Sequence, residues 1–324
     1  MDARIPKKMT TANARTPPTL ICGSSRHGRG RGDALRGVRP ARQRHATRCN
    51  ATDDRKEEGA AGSVLSFLCP LLKLFTGGDA AAPRARWSEV ATSGFASISR
   101  LSFGTSAGPA SLARASDPVQ PLSVYEFEAC PFCRRVREAV TDLDLTVNFY
   151  PCPKDSVTNR SVVMGTGGKS MFPFLIDPNT GAEMYESADI VKYLYETYGG
   201  GEEPPSGLLE STLFTGWVPT LLRAGRGMSR YDKAYQNPPK ELLVLYNYEN
   251  NQFSRLVREA LCELELPFTC VSAGKGSKNR NELEKVQGKT TVPFLVDPNT
   301  DKKIGDSEEI VEYLFKTYSS YSEA

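Results

Sequence analysis

The chain has 324 residues, 24% of them charged, with eight cysteines and a formal net charge of +3, a length that suits two or three domains. Residues 1–50 hold ten Arg, two Lys and two Asp, so this stretch carries +10 and the remainder −7. The basic balance thus gives the folded part no footing for nucleic-acid binding. Because His27 and His45 both fall in that stretch, Ser-His and Cys-His hydrolase mechanisms are excluded beyond it.

Residues 1–50 are Arg-rich, acid-poor and seeded with Thr, Ser, Pro and Gly, without the apolar core of a secretory signal. This composition predicts a disordered organelle transit peptide, for the chloroplast first and the mitochondrion as the alternative, with Thr47-Arg48-Cys49-Asn50-Ala51 similar to a plastid processing site. Residues 51–119 read as a low-order linker. Its one apolar run, Val64–Phe75, is broken by Pro70 and Lys73 and falls short of the roughly 18–20 residues of a membrane span; contact with a membrane surface stays open.

A repeat follows. Val124–Val140 aligns with Leu245–Leu261, Phe172–Thr180 with Val292–Thr300, and Ser187–Leu194 with Ser307–Leu314, the offset moving from 121 to 120. The copies occupy residues 120–200 and 240–320, each about 80 residues, near the lower end for an independent core. Each reads as strand, helix, strand, helix, strand, strand, helix. In the first, Leu122–Phe127 alternates as a buried strand, and Val136, Val140 and Leu143 make one apolar stripe on the next helix. Thr146–Tyr150 is β-branched and aromatic, and Asp177-Pro178-Asn179-Thr180-Gly181 is hairpin turn chemistry between two short strands. Ser187 is placed to cap the last helix. The fold class is α/β: two tandem domains, each a mixed four-stranded sheet with helices on both faces. Between the copies, residues 201–239 form a linker in which Leu208 to Leu222 recur at helical spacing, predicting a helix that packs across both domains.

Chemistry concentrates at Cys130-Pro131-Phe132-Cys133, the one C-x-x-C in the chain. A thiolate rather than a thiol attacks disulfides. A helix start favours an anion there, and Arg134, Arg135 and Arg137 promise positive charge on the following turn. Cys152, Cys262 and Cys270 stand apart and no second close Cys/His pair exists beyond residues 1–50, so no metal is expected.

With strand, C-P-F-C, helix, Phe172-Pro173 before a strand and Glu186-Ser187 before the last helix, the first copy resembles glutaredoxins and the N-terminal domain of glutathione transferases, both of the thioredoxin fold. Two such copies behind a transit peptide resemble the tandem plastid thioredoxin-family proteins of plants and algae. The resemblance implies a glutathione-linked thiol–disulfide oxidoreductase with Cys130 as nucleophile and Cys133 as resolving thiol. It implies glutathione as co-substrate, held by Phe172, a cis Pro173, Glu186 and Ser187, and protein disulfides or glutathionylated proteins as partners. The second copy carries Asn251 and Ser254 where the first has Cys130 and Cys133, so it reads as degenerate and non-catalytic. The alternative is a glutathione- or protein-binding module without catalysis.

Overall fold

A computed structural model describes residues 86–320 apart from 101, 115 and 212–214. The expected transit peptide and the apolar run Val64–Phe75 lie outside the described residues. The described elements in chain order are α1 (Arg86–Ile98), α2 (Pro109–Ala113), β1 (Leu122–Glu126), α3 (Pro131–Asp142), β2 (Thr146–Pro151), α4 (Asn159–Gly167), β3 (Phe174–Asp177), β4 (Ala182–Met184) and α5 (Ser187–Tyr198). Then come α6 (Trp217–Leu222), β5 (Leu243–Asn247), α7 (Gln252–Glu263), β6 (Phe268–Ser272), α8 (Arg280–Gln287), β7 (Phe294–Asp297), β8 (Lys302–Ile304) and α9 (Ser307–Tyr318).

Each copy contributes four strands with one parallel pair, β1·β2 or β5·β6, and two antiparallel pairs. The two sheets do not stay separate. β2 pairs antiparallel with β6, Thr146 opposite Val271 and Phe149 opposite Phe268, giving one eight-stranded sheet of order β4-β3-β1-β2-β6-β5-β7-β8. Joining the two edges satisfies a row of backbone groups that each copy alone would expose. It also makes one hydrophobic core from both copies: Phe149 stacks on Phe268, ring centroids 5.6 Å apart, among Val147, Leu243 and Cys270.

The junction carries a buried ionic cluster with near-twofold symmetry. Arg137 of α3 bonds Glu249 after β5 (Nε–Oε2 2.9 Å), while its counterpart Arg258 of α7 bonds Glu128 after β1 (Nε–Oε2 3.1 Å). Arg137 also pairs with Glu126, and Arg258 with Glu249 at 2.9 Å. All of these side chains are buried. Such a cluster adds little net stability over an apolar core, but removing one member leaves uncompensated buried charge. Burial pushes the carboxyl of Glu126 above its ordinary value, Arg137 opposing and Glu128 and Glu249 reinforcing. Glu249, though buried, is held well below the carboxylate range by Arg137, Arg258 and Arg134.

The stretch read as low-order linker contains α1 and α2. The pattern is inverted there: α1 buries Ser93 and Ala96, with Arg100 buried just beyond its end, and exposes Trp87, Phe95 and Ile98, so no large apolar stripe marks its packed face. Its hydrogen bonds reveal a longer repeat. Arg100 bonds Glu138 (2.7 Å) and donates to Thr215 Oγ1; 123 residues on, Arg223 bonds Glu259 (2.7 Å) and donates to Thr92 Oγ1. The bridge Ser106–Lys275 is likewise mirrored by Lys154–Ser229. The segment 209–230, expected as linker, is thus the second copy's version of 86–107, and each is exchanged: α1 packs on α7, while α6 lies by the start of α3.

Candidate functional site

Cys130 sits at the N-cap of α3, in extended backbone (φ −74°, ψ 122°), with Pro131 as the first helical residue. A proline fits there because that position has no intrahelical acceptor for an N–H. The Cys133 N–H donates to Cys130 Sγ at 3.4 Å, so the sulfur does the work of a capping side chain. Burial pushes the Cys130 thiol up, but hydrogen bonds from the Cys133 thiol and from the N–H groups of Cys133 and Phe132 outweigh it, and the thiol ends below its ordinary value. Burial and the adjacent Cys130 push Cys133 well above its own. Two thiols one helical turn apart are thereby driven in opposite directions.

The expected arginine support is a correction. Arg137 is drawn into the junction by Glu126, Glu128 and Glu249, and Arg134 by Glu249, so their charge serves the ionic cluster. Arg135 instead donates from Nε to Ser187 Oγ at 2.7 Å and lies over the Phe132 ring, 5.4 Å from its centroid. Ser187 is the first residue of α5 rather than its cap; the N-cap is Glu186, which holds a left-handed φ of 65° and makes no side-chain capping bond. A non-glycine residue at such a φ is strained. The Phe172–Pro173 bond is cis, and Phe172 packs edge-on against Phe127. Cys130, Cys133 and Phe172 gather in one cluster, and Arg135 ties the α3 start to the α5 start where Glu186 and Ser187 lie.

At the same positions the second copy is rebuilt. Asn251 takes the N-cap with nearly the same backbone (φ −81°, ψ 121°), and its Oδ1 accepts from Phe253 N and Ser254 N. An amide has replaced a sulfur in the same capping task. Ser254 Oγ, where Cys133 would stand, is buried without a hydrogen-bond partner. Leu256 replaces Arg135. Asp306, at φ −103°, caps α9 with its own carboxylate through Glu308 N (2.9 Å) and Glu309 N (3.3 Å). The Val292–Pro293 bond remains cis.

The other cysteines among the described residues are poor nucleophiles. Burial raises Cys152 far above the thiol range, raises Cys262 likewise, and takes Cys270 up to about 11. No group of three or more His, Cys, Asp or Glu among the described residues is arranged to hold a metal ion, and no helix among them is long and apolar enough to cross a membrane.

Sequence reading missed the residues that cover the thiol. Cys130 is 3% exposed and Cys133 1%, in a cluster that includes Met228, Cys262 and Trp217. Trp217 stands edge-on to Phe132 at 6.5 Å, and Thr220 Oγ1 donates to Ala129 O at 2.6 Å. The recurrences Thr92/Thr215, Arg100/Arg223, Gly104/Gly227 and Ser106/Ser229 at offset 123 are the signal that would have found this segment.

A sheet half with one parallel pair, a C-x-x-C at a helix start and a cis proline before its third strand defines a thioredoxin-like domain, here in tandem. The family model described as the glutathione S-transferase N-terminal domain matches residues 124–204 and again 245–322. The protein is therefore a glutathione transferase-related protein of thioredoxin fold, with one N-terminal-type domain in each half. Among solved structures, the chain is similar to the Bombyx mori glutathione transferase BmGSTD1, at 23% identity over 28% of this chain and 43% of that one, with a TM-score of 0.23. It is also similar to Leishmania TDR1, a trimeric glutathione transferase, at 15% identity over 63% of this chain and 68% of that one, with a TM-score of 0.24. The chain thus spans under half the length of the Bombyx mori enzyme. No curated protein matches it.

Proposed function

We propose that the protein is a glutathione-linked thiol–disulfide oxidoreductase acting at Cys130, with the second copy non-catalytic. The observation that carries this reading is the opposite displacement of the two thiols: Cys130 below its ordinary value, Cys133 above. The Cys130 thiolate attacks the glutathione sulfur of a glutathionylated protein; a Cys130–glutathione disulfide forms, and the protein sulfur leaves as a thiolate that takes a proton from solvent. A second glutathione thiolate then attacks that mixed disulfide, releasing oxidised glutathione and restoring Cys130. With a protein disulfide, Cys133 resolves instead. Cys133 is held protonated by burial and by the neighbouring Cys130, and consumption of the Cys130 charge in a mixed disulfide removes the second restraint. The Cys130–Cys133 disulfide so formed is reduced by two glutathione molecules.

The residues of the first copy fit glutathione as co-substrate. The start of α5 lacks a side-chain cap, so its first amides suit the carboxylate of the γ-glutamyl end, near Glu186 and Ser187. Phe172 and the cis Pro173 stand beside the thiol cluster for the cysteinyl part. The burial of Cys130 favours the second reading, a glutathione- or protein-binding module. Turnover of a glutathionylated peptide by the full chain separates the two. Cys130→Ser abolishes it, Cys133→Ser keeps part of it, and both variants lose reduction of protein disulfides; full activity in Cys130→Ser overturns the proposal. The Arg-rich leader supports delivery to a plastid, with the mitochondrion as the alternative, and a fluorescent fusion of residues 1–63 that stays in the cytosol would refute both.

A further inference from the structure

The cover over Cys130 comes from the wrong copy. Trp217, Thr220 and Met228 lie between the two domains and occupy, in the second copy, the positions that Gly94, Ser97 and Thr105 hold in the first. Attack on a disulfide needs the incoming sulfur in line with the thiolate, and a thiol that is 3% exposed offers no such approach.

The fastenings of this segment are lopsided. Toward the second copy, and toward α1 that packs on its α7, they are ionic and multiple: Arg223 to Glu259 and Glu89, Arg226 to Glu263 at 2.8 Å and Glu89 at 3.9 Å, and Gly227 N to Glu263 Oε1 at 3.0 Å. Across the thiol they amount to the Thr220–Ala129 hydrogen bond, the Trp217 edge on Phe132 and the packing of Met228. The helix itself is six residues long, and the turn after it runs through Ala224, Gly225 and Gly227 at positive φ. Gly227 is pressed so close that a Cβ there would lie 2.7 Å from Glu128 Cβ. At the far end, Lys154 N donates to Met228 O at 2.7 Å, which leaves a pivot beyond the covered thiol.

We propose that Trp217–Met228 is a lid over the Cys130 thiol, supplied by the catalytically silent copy, and that a disulfide substrate reaches Cys130 only when the lid lifts from the start of α3 while its arginines stay anchored to α7 and α1. This rests on Cys130 being the nucleophile. The inert copy then has a task in the reaction: it governs access to a thiol it does not possess.

The test follows alkylation of Cys130 by iodoacetamide in the full chain, read by mass spectrometry at that residue, across pH. In the intact protein the limiting rate at high pH falls well below that of the same thiol after denaturation. Thr220→Val, which removes only the latch, and Trp217→Ala each raise the limiting rate, together by about tenfold or more. Should Trp217→Ala fail to fold, Thr220→Val alone decides, because it keeps the shape of the side chain. A rate within about twofold of the parent in Thr220→Val, or an intact protein that reacts as fast as the denatured one, overturns the lid. Alkylation that rises without any turnover of a glutathionylated peptide supports the lid and refutes thiol exchange. Turnover with alkylation indifferent to the lid does the reverse.

Discussion

The two copies share a backbone and differ in what their helix starts are left to do. In the second, Asn251 caps α7 and Asp306 caps α9, so both helix ends are satisfied within the chain. In the first, one end is capped by a sulfur and the other by nothing from the Glu186 side chain, whose backbone is held at φ 65°. With glutathione as the proposed ligand of the first copy, the open start of α5 is the end left available to it, and the closed starts of α7 and α9 belong to the copy without that chemistry. The difference teaches that the absence of the two cysteines is one part of a wider divergence between the copies, since Leu256 in place of Arg135 and Asp306 in place of Glu186 accompany it.

The shared junction yields the largest expected effect. Glu249 compensates Arg137, Arg258 and Arg134 at once, so Glu249→Ala costs about 3–5 kcal/mol of stability in urea unfolding, with both copies unfolding together. Separate transitions, with only the second copy weakened, would break the picture of one core. A smaller, asymmetric effect sharpens the contrast of the helix starts. Asp306→Ala costs about 1 kcal/mol, whereas Glu186→Ala, which loses no cap, stays within about 0.5 kcal/mol while weakening glutathione binding. Equal losses at the two positions would count against a ligand-ready α5.

A pH-dependent effect lies at Glu126, where the second copy has Asn247. A carboxyl raised above its unfolded value supports the fold below that value and withdraws support as pH rises through its folded pKa. Burial raises Glu126, so the parent loses stability relative to Glu126→Gln between the ordinary carboxylate range and mildly alkaline pH. Urea midpoints of the two proteins at about pH 5 and about pH 8 check this, and parallel behaviour would assign the repulsion elsewhere.

Much of this architecture was legible because it was written twice. Phe174–Asp177 and Phe294–Asp297 declare the same buried strand, and Asp177 and Asp297 each accept from a pair of tyrosines, Tyr193 with Tyr198 and Tyr313 with Tyr318. The helix–strand order and the cis bond before β3 followed from local pattern and resemblance. What escaped was long-range. Arg134 and Arg137 look like thiol-activating charge in sequence, and only the β2–β6 pairing brings Glu249 within reach to claim them. Helix α1 escaped because its packed face is made of small residues, and the cover over Cys130 because it is exchanged between copies.

That edge-to-edge pairing has an evolutionary consequence. In a symmetric homodimer joined through the same strands, every substitution appears in both subunits, so thiols could not be discarded on one side and retained on the other. Covalent fusion lifts that restriction. Here the paralogous halves keep the matched contacts that hold them together, Arg137–Glu249 against Arg258–Glu128, while their reactive ends have been free to specialise separately. One half is at liberty to mutate as the keeper of the other.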